Sequence, residues 1–234
     1  MPTNPPTKTA LLIGASRGLG YAMAAEYLKR GWNVVGTVRG KARTLLHDLA
    51  DRSQNRLEIE TVDICEPDQI AALRARLSGR MFDLLFVNAG VTNNPSETIA
   101  DVTTEEFARV MVTNALSPMR VVEAVHDLVS PTGTIGLMSS GQGSVSNNTM
   151  GMREVYRGSK AALNMFMRSF AARHSSDSRA MVLMAPGWVR TDLGGPDGRL
   201  SIEESVPNLV NVLLSVQGAP ALQYLDYLGR TIPW

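Results

Sequence analysis

The chain has 234 residues, of which 44% are hydrophobic and 19% charged, and its formal net charge is +1 at pH 7. The near-neutral charge argues against a nucleic-acid-binding protein, because such proteins carry an excess of basic residues. The single cysteine, Cys65, excludes an intrachain disulfide and is typical of a reducing compartment. No apolar run is long enough to cross a membrane, so we expect no membrane partner.

The amino-terminal stretch, residues 1–7, is polar and contains three prolines. It lacks the apolar run of a secretory signal, so we expect a short disordered lead there and a cytoplasmic protein. Residues 8–234 show no change of composition that would mark a domain boundary, and we expect them to form a single domain.

Short apolar runs alternate with amphipathic stretches along the chain, which is typical of a parallel sheet covered by helices. The predicted strands are Thr9–Ile13, Asn33–Val38, Leu57–Val62, Phe82–Val87, Thr134–Met138, Arg179–Met184 and Leu222–Asp226. The predicted helices are Gly18–Arg30, Lys41–Asp51, Asp68–Leu77, Thr104–Met111, Leu116–Val129, Glu154–Arg173 and Ile202–Leu214. The sequence thus predicts an α/β fold with a single Rossmann-type, doubly wound parallel sheet of about seven strands and helices on both faces.

A glycine-rich loop follows the first predicted strand, at the edge where such sheets bind their ligands. Glycines let a backbone approach a pyrophosphate closely, and the helix that begins here offers free N–H groups. The alternative is a glycine-rich turn that binds nothing. The candidate dinucleotide-binding residues of the loop are Gly14, Ser16, Arg17, Gly18, Leu19 and Gly20.

The residue after the second predicted strand indicates which dinucleotide would bind. Sites for NAD usually place a carboxylate there, which bonds the ribose 2′-hydroxyl. This chain has Arg39 instead, and Arg17 could approach the same position. Two guanidinium groups suit a 2′-phosphate because each makes forked, charge-assisted hydrogen bonds, although two solvated arginines are the alternative. The sequence therefore predicts that NADPH binds much better than NADH.

Tyr156 and Lys160 lie four residues apart on a predicted helix and so share one of its faces. An ammonium near a phenol lowers the pKa of the tyrosine and suits it to acid–base chemistry. The alternative is an interface tyrosine beside a solvated lysine. Upstream, Ser139 and Ser140 end the fifth predicted strand, where a hydroxyl could bond a substrate oxygen or simply cap a turn.

The order and spacing of these features resemble the short-chain dehydrogenase/reductase family over nearly the whole chain. The stretches Pro186–Gly195 and Arg230–Trp234 further resemble a C-factor-like or sniffer-like carbonyl reductase subgroup. The features that carry the resemblance are the glycine loop, Asp63-Ile64, Asn88-Ala89-Gly90, Asn114, Ser139-Ser140, Tyr156 with Lys160, and Pro186-Gly187 with Thr191.

The resemblance implies an oxidoreductase that moves a hydride between a nicotinamide and a small carbonyl or alcohol. Tyr156 would be the general acid for ketone reduction and the base for alcohol oxidation. Lys160 would hold the nicotinamide ribose and lower the tyrosine pKa, Ser140 would orient the carbonyl, and Asn114 would support a water that links Lys160 to solvent. Which of Ser139 and Ser140 acts stays open.

The resemblance also assigns further residues to the cofactor. Asp63 and Ile64 would flank the adenine. The residues that would line the adenosine ribose are Asn88, Ala89 and Gly90, and those that would hold the nicotinamide carboxamide are Pro186, Gly187, Val189 and Thr191.

Three departures from the family pattern affect the predicted site. Ile13 stands where the family often has threonine, and Val87 replaces the first asparagine of the usual Asn-Asn-Ala-Gly. Both changes concern packing. Ser140 and Tyr156 are further apart than is common, which predicts a longer loop, Gly141–Val155, near the substrate.

The segment that would cover the substrate, Asp192–Ser201, is short and indicates an open pocket that accepts varied carbonyl compounds. Met150, Met152 and Trp188 are candidates for its apolar wall, or they simply pack against the protein. The sequence does not fix the substrate.

The predicted helix around Lys160 is apolar on more than one side, which indicates a subunit interface, and the resemblance favours a homodimer or homotetramer. His47, His126 and His174 lack metal-ligand spacing, so we expect surface positions on helices and no metal requirement.

Two function classes remain open. The first is an NADPH-dependent carbonyl reductase with Tyr156 as its acid. The second is a weakly catalytic or non-catalytic dinucleotide-binding protein with a signalling role. The complete set of Ser140, Tyr156 and Lys160 favours the enzyme, because a sensor has no need of a proton donor.

Overall fold

The computed structural model describes residues 7–234 and arranges seven strands of this part in one parallel sheet. The predicted lead at residues 1–7 lies, except for Thr7, outside the described residues. The strands are β1 (Thr9–Ile13), β2 (Asn33–Val38), β3 (Leu57–Thr61), β4 (Phe82–Val87), β5 (Val129–Met138), β6 (Ala180–Ala185) and β7 (Leu222–Asp226). Their order across the sheet is β3-β2-β1-β4-β5-β6-β7, and every neighbouring pair is parallel.

Helices cover both faces of the sheet, as the sequence predicts. They are α1 (Gly18–Lys29), α2 (Leu45–Asp51), α3 (Pro67–Arg76), α4 (Thr104–Met111), α5 (Ser117–Val125), α6 (Glu154–Arg173) and α7 (Ile202–Ser215). Successive residues of a strand point to opposite faces, and β1 shows this directly. Leu11 and Ile13 belong to the hydrophobic core that includes residues of α3, α5 and α6, whereas Ala10 and Leu12 belong to the core that includes residues of α1 and α7.

Two predicted helices differ from the structure by more than one residue at an end. The helix predicted over Lys41–Asp51 begins only at Leu45, because Thr44 has extended backbone and its N–H donates to the His47 ring at 3.0 Å. The helix predicted over Leu116–Val129 ends at Val125, and a short 3₁₀ turn, His126–Leu128, leads into a strand.

Strand β5 begins at Val129, five residues before its predicted start at Thr134. Pro131 and Gly133 suggest a loop in the sequence, since proline cannot donate to a ladder. The structure accommodates them where the pairing of β4 with β5 shifts register, between Phe82 and Leu84.

The three histidines are half-buried: His47 lies on α2, His126 in the 3₁₀ turn and His174 directly after α6. His47 accepts the Thr44 N–H at the start of α2. His126 and His174 lie with their ring centroids 5.1 Å apart, and the His174 ring stacks on Phe170 at 4.1 Å. Within residues 7–234, no three His, Cys, Asp or Glu side chains gather in a way that could hold a metal ion.

The sheet has its topological switch point between β1 and β4, where the chain order reverses. Ligands of open α/β sheets bind beyond the carboxyl ends of the strands at this point. Gly14 follows β1 and Asn88 follows β4, so the candidate residues lie where the topology favours binding. None of the helices that the structure describes combines the length and the apolar character needed to cross a membrane.

Candidate active site

The glycine loop connects β1 to α1. Its backbone conformation and its close contacts with neighbouring residues both require glycine. Gly14 and Gly18 have φ values of +86° and +57°, which side chains rarely adopt. A Cβ at Gly20 would lie 2.1 Å from the Gly14 carbonyl oxygen, and a Cβ at Gly14 would lie 2.9 Å from the Ala89 nitrogen. The loop is therefore packed tightly against the start of α1 and the end of β4.

Two polar side chains hold this loop in place. The Thr37 hydroxyl, which is buried at the end of β2, accepts the Gly14 N–H at 2.9 Å. The Asn88 amide donates to the Gly14 carbonyl oxygen at 2.9 Å, so the residue expected beside the ribose also braces the glycines. Sequence reasoning missed Thr37, although a lone hydroxyl near the end of an apolar strand is a signal that could have been used.

The first turn of α1 fits a phosphate group. It contains no acidic residue, and within residues 7–234 no side chain caps its N–H groups. Free N–H groups at a helix N-terminus attract anions. A Cβ at Gly18 would meet no atom within 4 Å, so the backbone there is open to approach. Ser16 and Leu19 are half-buried beside it.

The two arginines expected at a 2′-phosphate are both exposed. The Arg17 Nη1 lies 2.7 Å from the Asp192 Oδ2, and about three quarters of each side chain is accessible to solvent. An exposed ion pair of this kind contributes little free energy, so Arg17 can exchange Asp192 for a phosphate. Asp63 accepts the Cys65 N–H at 2.9 Å, and Ile64 is buried beside it.

The α6 helix places Tyr156 and Lys160 together, and both side chains are buried. The Lys160 Nζ donates to the Met138 carbonyl at 2.9 Å and lies 5.9 Å from the centroid of the Tyr156 ring. Burial lowers the pKa of Lys160 to about 8, because the protein interior disfavours its charged form. The lysine is thus fixed at the carboxyl end of β5.

The expected lowering of the Tyr156 pKa is wrong for this arrangement. Burial raises the pKa of Tyr156, and it outweighs the opposing effects of the Ser140 hydrogen bond and the Arg153 charge. The phenol is therefore protonated at neutral pH, as a proton donor must be.

The structure separates the two serines that the sequence left as alternatives. Ser139 is buried, and its hydroxyl donates to the Asn164 amide oxygen at 2.6 Å. The Ser140 hydroxyl accepts the Gln142 N–H at 3.2 Å, contacts Tyr156 and lines a cavity. Only Ser140 therefore faces the space beside Tyr156.

Asn114 lies in a π turn, Val112–Leu116, that joins α4 to α5. Its amide donates to the Val91 carbonyl and to the Ser159 hydroxyl, at 2.8 and 2.9 Å, and its Oδ1 accepts the Val91 N–H at 2.8 Å. A Cβ at Gly90 would lie 3.3 Å from the Asn114 Oδ1 and 3.5 Å from the Lys160 Nζ. Glycine at this position keeps the region between Asn114 and Lys160 clear of a side chain.

The segment after β6 forms the opposite side of the cavity. Gly187 has a φ of +82°, and Val189 is buried. The Trp188 indole donates to the Gly194 carbonyl at 2.7 Å, and the Thr191 hydroxyl accepts the Gly194 N–H at 3.0 Å. These contacts fix the backbone that the resemblance assigns to the nicotinamide carboxamide.

A cavity of about 400 Å³ lies between these elements. The residues that matter for its chemistry are Leu19, Ser140, Tyr156, Pro186, Thr191 and Arg153. Trp188 forms part of its wall, as expected, but Met150 and Met152 do not line it and are 75% and 64% exposed. Their loop carries these methionines into solvent instead.

The carboxyl-terminal strand supports the loop that carries Ser140. The Tyr224 hydroxyl on β7 donates to the Ser140 carbonyl. The Trp234 main-chain oxygen accepts the Ser146 N–H at 3.0 Å and the Ser146 hydroxyl at 2.7 Å. The Tyr224 and Trp234 rings lie 5.4 Å apart, so this strand and the residues after it brace one side of the site.

Comparison with known protein families gives a match to short chain dehydrogenases over residues 8–199. The chain belongs to this family of oxidoreductases. Its single parallel sheet agrees with that membership, and the resemblance seen in the sequence is confirmed.

Three relatives show where in the family the chain lies. It is 65% identical to a short-chain dehydrogenase/reductase from Burkholderia multivorans, solved with bound NADP, with a TM-score of 0.96 over 98% of this chain and 100% of the other. It is 36% identical to C-signal of Myxococcus xanthus over 65% of this chain and 92% of that protein. It is 26% identical to carbonyl reductase Sniffer of D. melanogaster, with a TM-score of 0.87 over 97% of this chain and 100% of the other.

Proposed function

We propose that residues 8–234 form one catalytic domain that reduces small carbonyl compounds with NADPH. The observation that carries the proposal is that Ser140 and Tyr156 line one cavity and that Lys160 is buried beside the Tyr156 ring. The glycine loop lies next to them and begins a helix that no side chain caps among residues 7–234. The B. multivorans relative, which holds NADP, supports the choice of cofactor.

Most of the residues named from the sequence would hold the cofactor. The glycine loop would hold the pyrophosphate, Arg17 and Arg39 the 2′-phosphate, and Lys160 the nicotinamide ribose. The remaining cofactor contacts that we propose are Asp63, Ile64, Asn88, Ala89, Gly90, Pro186, Gly187, Val189 and Thr191.

The protein's part in the reaction is to orient the carbonyl and to deliver a proton. Bound NADPH supplies the hydride, which turns the carbonyl carbon into an alkoxide carbon. The Ser140 hydroxyl would donate a hydrogen bond to the carbonyl oxygen, and Tyr156 would transfer its proton there. Lys160 and Asn114 would return a proton to Tyr156 through water.

A panel of aldehydes, ketones and quinones tests this function, with NADPH oxidation followed by its absorbance. Turnover of several members is expected.

The C-signal relative supports a second candidate function, a dinucleotide-binding protein with a signalling role and little catalysis. Binding of NADPH without turnover of any member of the panel would favour that second function.

We expect NADPH to bind about tenfold or more better than NADH, because Arg39 and Arg17 can each make charge-assisted bonds to a 2′-phosphate. Titration calorimetry with both cofactors measures the preference. Arg39→Ala is expected to weaken the binding of NADPH and to leave NADH binding unchanged. Equal dissociation constants for NADPH and NADH in the unmodified protein would contradict the assignment.

We propose a homodimer or homotetramer that buries the outer face of α6. Met165 and Phe166 on this face are 60% and 44% exposed, and such exposed apolar pairs favour association. Light scattering at micromolar concentration is expected to show an oligomer, and Met165→Glu to dissociate it. The matched control is Leu45→Glu, which changes an apolar residue of similar exposure on α2, a helix that packs in the other hydrophobic core. A monomeric unmodified protein would refute the proposal.

A further inference from the structure

The cavity beside Tyr156 contains an arginine that the proposed reaction does not use. Arg153 immediately precedes α6, and its guanidinium carbon lies 5.0 Å from the centroid of the Tyr156 ring. Its Nη2 donates to the Thr92 hydroxyl at 3.2 Å, and its buried Nε has no hydrogen-bond partner within residues 7–234. A guanidinium carries five N–H donors, so most of the hydrogen-bonding capacity of Arg153 is available to a ligand.

The positive charge of Arg153 is not balanced by the protein. Within the described residues, no carboxylate lies within 4.0 Å of its nitrogens. The cavity also contains Asp226, but its Oδ2 accepts the Arg230 Nε at 2.6 Å and its Oδ1 accepts the Arg230 N–H at 2.9 Å. Asp226 and Arg230 thus neutralise each other, and the cavity keeps the net charge of Arg153.

Arg153 also occupies an unusual backbone conformation. Its φ and ψ are 63° and 40°, in the left-handed region that most side chains avoid. The half-buried, unpaired charge and the strained backbone each lower the free energy of unfolding. Backbone outliers of this kind concentrate at functional sites. Gln142, which lines the same cavity, has a side-chain oxygen that is buried and unpaired among the described residues.

We infer that Arg153 binds a carboxylate of the substrate, so that the protein prefers carbonyl compounds that carry an acidic group. The guanidinium fork matches the two oxygens of a carboxylate. Because Arg153 lies over the ring of Tyr156, an acid held by it has its carbonyl group near the phenol. This inference rests on the proposed reductase function and adds the substrate class to it.

A matched pair of aldehydes tests the preference. The holoenzyme with NADPH is assayed with 4-carboxybenzaldehyde and with its methyl ester, which has the same skeleton without the charge. We expect kcat/KM for the acid to exceed that for the ester by about tenfold or more, since hydrogen bonds to charged groups are worth that factor. Equal values for the two aldehydes would overturn the inference while leaving the reductase function intact.

The variant Arg153→Asn tests whether this residue causes the preference. Asparagine tolerates the left-handed region, so the backbone is kept while the charge is removed. The ratio of kcat/KM for acid and ester is the readout, because an altered Tyr156 affects both substrates alike. We expect the ratio to fall to about one, the value for equal recognition of charged and uncharged groups. The control Arg157→Gln removes a charge from the start of α6, outside the cavity, and should leave the ratio unchanged.

A binding experiment separates the inference from the reductase function. Benzoate and benzamide are titrated calorimetrically into the protein saturated with NADP. Benzoate is expected to bind more tightly than benzamide, and Arg153→Asn to remove the difference. If neither aldehyde is reduced but benzoate keeps its advantage, the reductase function fails and the anion site stands. If benzoate has no advantage, the anion site is refuted.

Discussion

Replacement of Tyr156 by phenylalanine is expected to lower kcat by about 10²–10⁴-fold, the usual contribution of a general acid. The ring is buried between Arg153 and Lys160, and phenylalanine keeps this packing while removing only the hydroxyl. The Ser140 hydroxyl remains, but it is a hydrogen-bond donor of much higher pKa than a phenol. We therefore expect the folded protein and its affinity for NADPH to be retained.

Steady-state kinetics with the best aldehyde of the panel, together with titration of NADPH, measures both expectations. Tyr27→Phe is the matched control, because it removes the hydroxyl of another buried tyrosine, on α1 and outside the cavity. Its kcat should equal that of the unmodified protein. Turnover by Tyr156→Phe at a similar rate would mean that another group supplies the proton.

Gly20→Ala is expected to abolish useful cofactor binding. The new methyl group would lie 2.1 Å from the Gly14 carbonyl oxygen and 2.7 Å from the Asn88 amide nitrogen, so the loop must move. A displaced loop that no longer presents its N–H groups to the pyrophosphate would weaken NADPH binding by about 100-fold or more. Overpacking should also lower the free energy of unfolding by about 1–3 kcal/mol.

Calorimetric titration gives the affinity, and urea denaturation gives the unfolding free energy. Gly158→Ala makes the same change in a helix where the new methyl group meets no atom within 4 Å. That control should be neutral or slightly stabilising, because alanine has the higher helix propensity. Normal NADPH affinity in Gly20→Ala would show that the glycine loop does not hold the cofactor as proposed.

The sequence predicts the sheet well, and it predicts that the candidate residues lie after the carboxyl ends of the strands, because both follow from local patterns. Buried strands such as Phe82–Val87 are continuous apolar runs, and parallel topology brings their carboxyl ends together. The helix over Glu154–Arg173 is predicted to the residue for the same reason. The alternation of strands and helices predicts where these residues lie in the fold, and the family resemblance then predicts their roles.

What could not be predicted depends on three-dimensional surroundings. The raised pKa of Tyr156 is set by burial, which the spacing to Lys160 does not reveal. The choice between Ser139 and Ser140 depends on Asn164, which is remote in sequence and accepts the Ser139 hydroxyl. The π turn at Asn114 adds one residue to a helix and has no periodic signature.

The contact between Tyr224 and Ser140 has a consequence for how the protein is made. The strand that carries Tyr224 joins the edge of the sheet after all the other strands have been translated. A nascent chain therefore carries its serine loop without this support until β7 has left the ribosome. We expect a nascent chain that lacks β7 to bind the dinucleotide through the loops that follow the earlier strands, before it becomes catalytically active.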